Sequence, residues 1–228
     1  AVFGSFAVED LKITNWGETA GGVSVENAPQ YWFATNDGAK ADVDGFEWSA
    51  DGVVWTHEAP TAAGNYYIRA YVNGTVDHEP LYSEKIAFEI GRGTYDMSGV
   101  TFNDESFVYD GTERNLTVRS DLPVGADGVV VTVSVGAGSV NVVDKHAVQA
   151  IFTSHSANYV FENGESTYTL TAYLTVTARS VQVVWEIPEF TYNGKVQHNA
   201  ADPGIRAYYT DIDGEKVYLI VGNSADGE

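Results

Sequence analysis

The chain contains no cysteine, and basic side chains are scarce: 12 Lys and Arg stand against 32 Asp and Glu among 228 residues. Without cysteine, neither a disulfide framework nor a thiolate metal site can form. The net charge of −20 repels nucleic-acid phosphates and anionic lipid head groups, and no basic cluster opposes it. We therefore expect the protein to bind no nucleic acid and to make no direct membrane contact.

Long apolar runs are missing as well. No run approaches the roughly 18 residues that a membrane helix requires, and the first residues lack the charged and apolar regions of a signal peptide. No nucleophile elbow, phosphate-binding loop or dinucleotide fingerprint occurs, and the histidines do not show the spacing of a metal site. The sequence thus predicts a protein that is not an enzyme. The scattered histidines are His57, His78, His146, His155 and His198.

A side-chain period of two dominates the sequence. From Tyr168 to Ala178, apolar residues alternate with residues that are mostly threonine, which predicts a strand with one buried and one wet face. The same alternation occurs over residues 66–72, 86–90, 129–135 and 181–187. No stretch shows sustained helical periodicity, so the sequence predicts an all-β protein.

Asn-Gly and Asp-Gly pairs separate these strands, and they tolerate the positive φ angles that tight turns require. Short strands with turns this frequent indicate β-sandwiches or small barrels, and the chain is too long for one of them. The turn signals are Asn36-Asp37-Gly38, Asp51-Gly52, Asn73-Gly74, Asp110-Gly111, Asn163-Gly164, Asn193-Gly194 and Asp213-Gly214.

One short pattern occurs twice, and we call it the aromatic-turn motif. In each copy, Phe and Tyr two positions apart face the same side of a strand, so we expect both rings to anchor a core. The Asp-Gly or Asn-Gly that follows would then turn the chain. The first copy consists of Phe107, Tyr109, Asp110 and Gly111, and the second of Phe190, Tyr192, Asn193 and Gly194.

The repeat also predicts the domain boundaries. Each copy follows a strand that is typical of the end of the preceding domain, and a short connection lies between them. We predict a first domain over residues 6–92, a second over 93–179, and an incomplete third over 180–228.

The aromatic-turn motif resembles the Gly-rich, mostly-β repeats of large bacterial surface proteins that are called MBG or YDG repeats. The resemblance rests on residues 107–114 and 190–197, with support from Ser156-Ala157-Asn158-Tyr159 and from residues 207–211. Where such repeats usually read Ala-Gly-x-Tyr, the second domain reads Asp144-Lys145-His146-Ala147, so the turn there is expected to differ.

The first domain resembles a bacterial Ig-like repeat over Trp48–Trp55 and Ala59–Ala70. The resemblance implies tandem Ig-like β-sandwich domains in an extended string, with a β-grasp-like fold as the alternative for the second and third. It implies a non-catalytic stalk or adhesion region of a secreted or cell-surface bacterial protein, whose partners are other domains of the same protein.

A ligand-binding adhesin module is the alternative function. Its expected partner is a host or cell-surface glycan or protein, and aromatic rings of the first domain would bind it, although large aromatic rings more often pack in a core. We expect no cofactor, and calcium bound by Asp-rich turns is the alternative use of the acidic residues. The candidate ligand-binding residues are Tyr31, Trp32, Trp48 and Trp55, and the candidate calcium ligands are Asp42, Asp44, Asp211 and Asp213.

Overall fold

The computed structural model of the chain describes residues 1–17, 20–32, 39–194 and 205–220. Regular structure in these ranges is almost entirely β, with one short 3-10 helix at Val8–Asp10 and no α-helix. The prediction of an all-β protein is therefore confirmed. The turn predicted at residues 36–38 lies outside the described residues.

Eighteen strands occur in the described residues. They are Val2–Phe3 (β1), Leu11–Thr14 (β2), Gly22–Val25 (β3), Gln30–Trp32 (β4), Lys40–Asp42 (β5), Gly45–Ser49 (β6), Gly64–Val72 (β7), Leu81–Tyr82 (β8), Ile86–Ile90 (β9), Gly93–Thr94 (β10), Glu105–Val108 (β11), Thr132–Val135 (β12), Val143–Thr153 (β13), Tyr159–Val160 (β14), Thr167–Thr177 (β15), Val184–Glu186 (β16), Arg206–Thr210 (β17) and Lys216–Leu219 (β18).

The chain forms two compact units. The first contains Ala1–Phe102, Thr117–Val135 and Gln149–Thr171, and the second contains Asn103–Leu116, Gly136–Val148 and Ala172–Glu228. Both units draw on segments that are distant in sequence. The organisation into three consecutive domains stays a prediction.

The main sheet of the first compact unit surrounds β7. Strand β6 pairs antiparallel along one edge of β7, and β8 and β9 also pair with it antiparallel. Alternation along β7 turns Ile68 and Ala70 inward, where both are fully buried. Both residues belong to the buried face predicted over residues 66–72. The buried cluster beneath this sheet consists of Leu11, Trp48, Ile68, Phe88 and Ile90.

A four-stranded sheet has the order β11-β15-β13-β12. Strand β15 shows the predicted alternation: Ala172, Leu174 and Val176 are buried, while four of the five threonines on the opposite face are exposed. Strand β11 pairs parallel with β15, and β12 pairs antiparallel with β13. The face predicted over residues 129–135 lies partly on β12, and its Val131, directly before that strand, is buried.

The last sheet of the chain has the antiparallel order β16-β17-β18. The buried face predicted over residues 181–187 is wrong. Strand β16 is only three residues long, and Trp185 and Ile187 are 56% and 66% exposed. The alternation marks the strand, but within the described residues no second layer covers these side chains.

Candidate functional site

Trp48 is a core residue and offers no surface to a ligand. Its side chain is only 6% exposed, because strand β6 turns it inward toward the sheet interior. The ring packs edge-to-face on Phe88, with centroids 5.8 Å apart. The sequence prediction that Trp48 belongs to a ligand-binding surface is corrected by this burial.

Trp55 lies over the outer face of the same sheet, where it contacts an arginine. The guanidinium of Arg69 stands 4.1 Å from the Trp55 ring centroid and 4.0 Å from that of Tyr82. Arg69 also donates from Nε to the Glu47 carboxylate at 2.8 Å. An arginine between two rings is held by cation–π attraction on both sides. One face of Trp55 is thus already occupied by the protein itself.

Sequence reasoning missed this arginine-centred cluster. The alternation along β7 buries Ile68 and Ala70, so it does place Arg69 on the outer face. The position of Trp55 could not be found in the same way, since this residue lies in the loop after β6, outside any strand.

Tyr31 and Trp32 are half-buried on strand β4 and have different surroundings. The ammonium of Lys40 stands 5.5 Å from the centroid of the Trp32 ring. Tyr31 lines a cleft of about 710 Å³ together with Asp44. Two residues predicted for different purposes, one for a ligand and one for calcium, therefore share one concave site. Its wall is completed by side chains that include Val72, His78, Glu79 and Leu81.

Two of the four candidate calcium ligands accept hydrogen bonds from backbone N–H groups. Asp44 Oδ2 accepts a hydrogen bond from the backbone N–H of Asn73 at 2.7 Å, and Asp211 Oδ1 accepts one from Ile212 at 2.8 Å. Asp42 is exposed at the end of β5. Nowhere in the described ranges do three His, Asp or Glu side chains gather in a way that could hold a metal ion. The geometry of Asp42, Asp44, Asp211 and Asp213 thus gives the calcium hypothesis no support.

In the first copy of the aromatic-turn motif, both aromatic rings are more buried than the residue between them. Phe107 and Tyr109 are both half-buried, while Val108 between them is 57% exposed. Asp110 forms an ion pair with Arg114, whose guanidinium also stands 5.2 Å from the centroid of the Phe107 ring. The turn itself is made at Gly111, whose φ of 78° lies in the left-handed region that favours glycine.

The second copy keeps the turn but not the core. Gly194 has φ of 72°, close to the value in the first copy. Phe190 and Tyr192 are 44% and 92% exposed, so the expectation that they anchor a core is wrong. The resemblance extends to residue 197, and residues 195–197 lie outside the described residues.

Residues on either side of the predicted domain boundary at residue 92 pack against each other within the first compact unit. We call this contact the joint at Gly93. The N–H of Gly93 donates to the carbonyl of Asn158 at 2.8 Å, and the Asn158 side-chain oxygen accepts from the N–H of Ala63 at 2.9 Å. The rings of Trp16 and Tyr159 pack edge-to-face with centroids 6.0 Å apart. Asn158 therefore contacts both sides of the joint, a role that its sequence context did not reveal.

Gly93 leaves no room for a side chain. A Cβ at this position would lie 2.6 Å from Cε1 of Tyr159 and 2.7 Å from the carbonyl carbon of Trp16. Backbone and aromatic ring pack directly against each other here because glycine has no side chain.

Asp127 supports the same joint from the side of the second predicted domain. Partial burial acts against its charge, but hydrogen bonds from the Ser156 hydroxyl and the Val129 N–H outweigh this effect and lower the pKa of Asp127. The Ser156 hydroxyl also accepts from the N–H of Asn158 at 2.9 Å. A charged Asp127 thus helps to hold Asn158 in place.

No protein-family model matches the chain, and no curated protein matches it. The resemblance to bacterial Ig-like and MBG repeats rests on the residues quoted above and stays a prediction. The described part of the chain contains no helix of the length and apolar character that would span a membrane.

Proposed function

We propose that this chain is a non-catalytic spacer or stalk region of a large secreted or cell-surface bacterial protein, formed by tandem Ig-like domains. The observation that carries the proposal is the joint at Gly93. Consecutive domains move relative to each other by default when a flexible linker connects them. Here the connection is hydrogen-bonded through Asn158 and packed through Trp16 and Tyr159.

A joint of this kind suits a spacer because it limits bending. A spacer holds another domain at a distance, and a flexible connection would let that domain fold back. The net charge of −20 also favours a soluble chain that does not adhere to anionic surfaces.

Antibody labelling of intact cells of the source organism tests the proposed location. We expect an antibody raised against this chain to label intact cells or the culture medium, and external protease to remove the cell-bound label. Labelling that appears only after lysis would contradict the proposal. A second test replaces the chain in its parent protein with a Gly-Ser linker of equal length, which should reduce presentation of the neighbouring domains.

A ligand-binding adhesin is the second candidate function, and the cleft beside Tyr31 favours it. Ligand sites are usually concave, with apolar walls and a few polar groups that fix orientation. The cleft combines an aromatic ring, the apolar side chains of Val72 and Leu81, and the carboxylates of Asp44 and Glu79. A neutral glycan fits this chemistry, since its ring can stack on Tyr31 and its hydroxyls can donate to the carboxylates.

A glycan array with the full chain tests the second function. We expect Tyr31→Ala to abolish any specific signal and Tyr31→Phe, which keeps the ring, to retain most of it. Trp55→Phe serves as the control outside the cleft. Absence of any glycan signal, or a signal that survives Tyr31→Ala, would contradict binding in this cleft.

A further inference from the structure

Strands β11 and β15 lie far apart in sequence but pair in parallel. Glu105 pairs with Leu174 and Val108 pairs with Thr177, so the register extends over all four residues of β11. The Tyr109 N–H extends the ladder with a bond to the Thr177 carbonyl at 2.8 Å.

Two side chains reinforce this pairing, one at each end. Asp104 Oδ1 accepts from the N–H of Tyr173 at 2.7 Å, just before the ladder begins. The hydroxyl of Thr177 donates to the carbonyl of Phe107 at 3.2 Å near its other end. The two strands are thus linked at several points along their common length.

The direction of the strands decides how these bonds respond to force. When the chain is stretched, force on β11 acts toward its N-terminal end and force on β15 acts toward its C-terminal end. In a parallel pair these directions are opposite along the strand axis, so the strands are made to slide past each other. All the bonds of the ladder then bear the force together and must break together.

An antiparallel hairpin responds differently. In β17 and β18, the N-terminal end of one strand lies beside the C-terminal end of the other, with Thr210 paired to Lys216 next to the connecting turn. Stretching the chain pulls the open end of this pair apart, and its bonds break one at a time. The same number of hydrogen bonds therefore resists much less force.

Burial strengthens the parallel pair further. Strand β15 lies between β11 and β13 in the sheet, so it has a neighbour on each side. Leu174 and Val176 on β15 are almost completely buried. Water that could replace the broken bonds is therefore kept from the inner face of this strand.

We propose that the parallel pair β11–β15 is the element of the chain that bears tensile force and gives it resistance to mechanical extension. This inference goes beyond the spacer function, because resistance to force follows from the strand pairing wherever the protein is located. In a spacer it would keep the presented domain at its distance when an attached partner is pulled.

Single-molecule force measurements on the full chain test the proposal by changing only the direction of pulling. The chain has no cysteine, so two introduced cysteines provide unique attachment points. Asn103→Cys with Ala178→Cys attaches the handles at opposite ends of the pair and loads it in shear. Val108→Cys with Ala178→Cys attaches them at the same end and peels the strands apart. All three positions are exposed.

We expect the shear arrangement to rupture at a force several-fold higher than the peeling arrangement at the same loading rate. Rupture in shear should release roughly 25 nm of chain, from the maximal extension of about 3.3–3.6 Å per residue. The released length shows that a folded chain was ruptured, and circular dichroism of both variants checks their β content. Equal rupture forces in the two arrangements would overturn the proposal.

A failure of this test would leave the proposed spacer function standing, since a spacer can be stiff without resisting high force. Labelling confined to lysed cells would instead contradict the spacer function alone. The two proposals can therefore fail separately.

Discussion

The chain contains a closely packed region around β15 and an open region formed by β16, β17 and β18. Both regions show apolar side chains at every second position. Leu174 of β15 is completely buried, whereas Trp185 of β16 is 56% exposed. Alternation specifies a strand and the side on which its apolar residues lie, but burial also requires another layer on that side.

The two copies of the aromatic-turn motif support the same conclusion. The turn depends on a few consecutive residues, and it forms in both copies with similar φ angles at Gly111 and Gly194. The aromatic rings depend on distant parts of the chain, and they are partly buried only in the first copy. Local features are thus shared between the copies, and tertiary features are not.

The largest expected difference between the two regions concerns a buried and an exposed leucine. Leu174→Ala should lower the free energy of unfolding by about 2–5 kcal/mol, because it leaves a cavity in a closely packed core. Leu219→Ala removes the same atoms from a side chain that is 41% exposed and should cost less than about 1 kcal/mol. Urea denaturation of both variants measures the difference, and equal losses would contradict the comparison.

The phenylalanines of the motif should show a smaller difference of the same sign. Phe107→Ala removes a half-buried ring that also packs near Arg114, so we expect a loss of about 1–3 kcal/mol. Phe190→Ala removes a ring that is 44% exposed and should cost clearly less. Hydrogen exchange of nearby amides reports the local effect of each change. A larger loss at Phe190 would show that the second copy does have a core.

The glycines of the motif should not distinguish the two copies. Gly111→Ala and Gly194→Ala each place a side chain at a positive φ angle, which costs roughly 1–2 kcal/mol at either position. Local hydrogen exchange again provides the measurement. A cost at Gly111 alone would mean that the turn, like the core, differs between the copies.

The smallest expected effects concern pH. The pKa of Asp127 at the joint is lowered: partial burial opposes the charge, but the hydrogen bonds from Ser156, Val129 and Asn158 together outweigh it. The pKa of Glu186 in the open region is also lowered, mainly by its hydrogen bond with Lys216. A lowered pKa means that each carboxylate stabilises the fold above its ordinary pKa of about 4, and that this stabilisation is lost as the pH falls toward the lowered pKa.

Salt should change the pKa values of these two carboxylates by different amounts. The ion pair of Glu186 is exposed and is screened by salt, whereas the partners of Asp127 are uncharged. We expect 0.5 M NaCl, compared with a dilute buffer, to move the pKa of Glu186 toward its ordinary value. The pKa of Asp127 should change less. Carboxyl NMR titrations measure both values, and an equal response to salt would contradict the assignment of causes.

Much of the fold follows from local patterns in the sequence. The alternation along β7, β9 and β15 was predicted because each residue's side of the strand depends only on its neighbours in sequence. The parallel pairing of β11 with β15 was not predicted, since their partner choice depends on the whole sheet. For the same reason the joint at Gly93 and the position of Arg69 between two rings were found only in the structure.

The candidate site was predicted in part. Tyr31 and Asp44 were both singled out, but only the structure places them in one cleft. Trp48 was predicted for a ligand-binding surface, and its burial shows that residue type alone does not separate core aromatics from surface aromatics. The inward position of this residue could have been inferred from the alternation of Phe46 and Trp48 on that strand.

The stiffness of the joint at Gly93 is the central claim, and electron spin resonance distances test it most directly. Spin labels at Glu89→Cys and Ser134→Cys lie on exposed positions on either side of the joint, both within the first compact unit. We predict a single narrow distance distribution, which Asn158→Ala broadens because the N–H of Ala63 loses the side-chain oxygen that it bonds across the joint, while the carbonyl bonded by Gly93 remains. A broad distribution in the chain without Asn158→Ala would contradict a stiff joint.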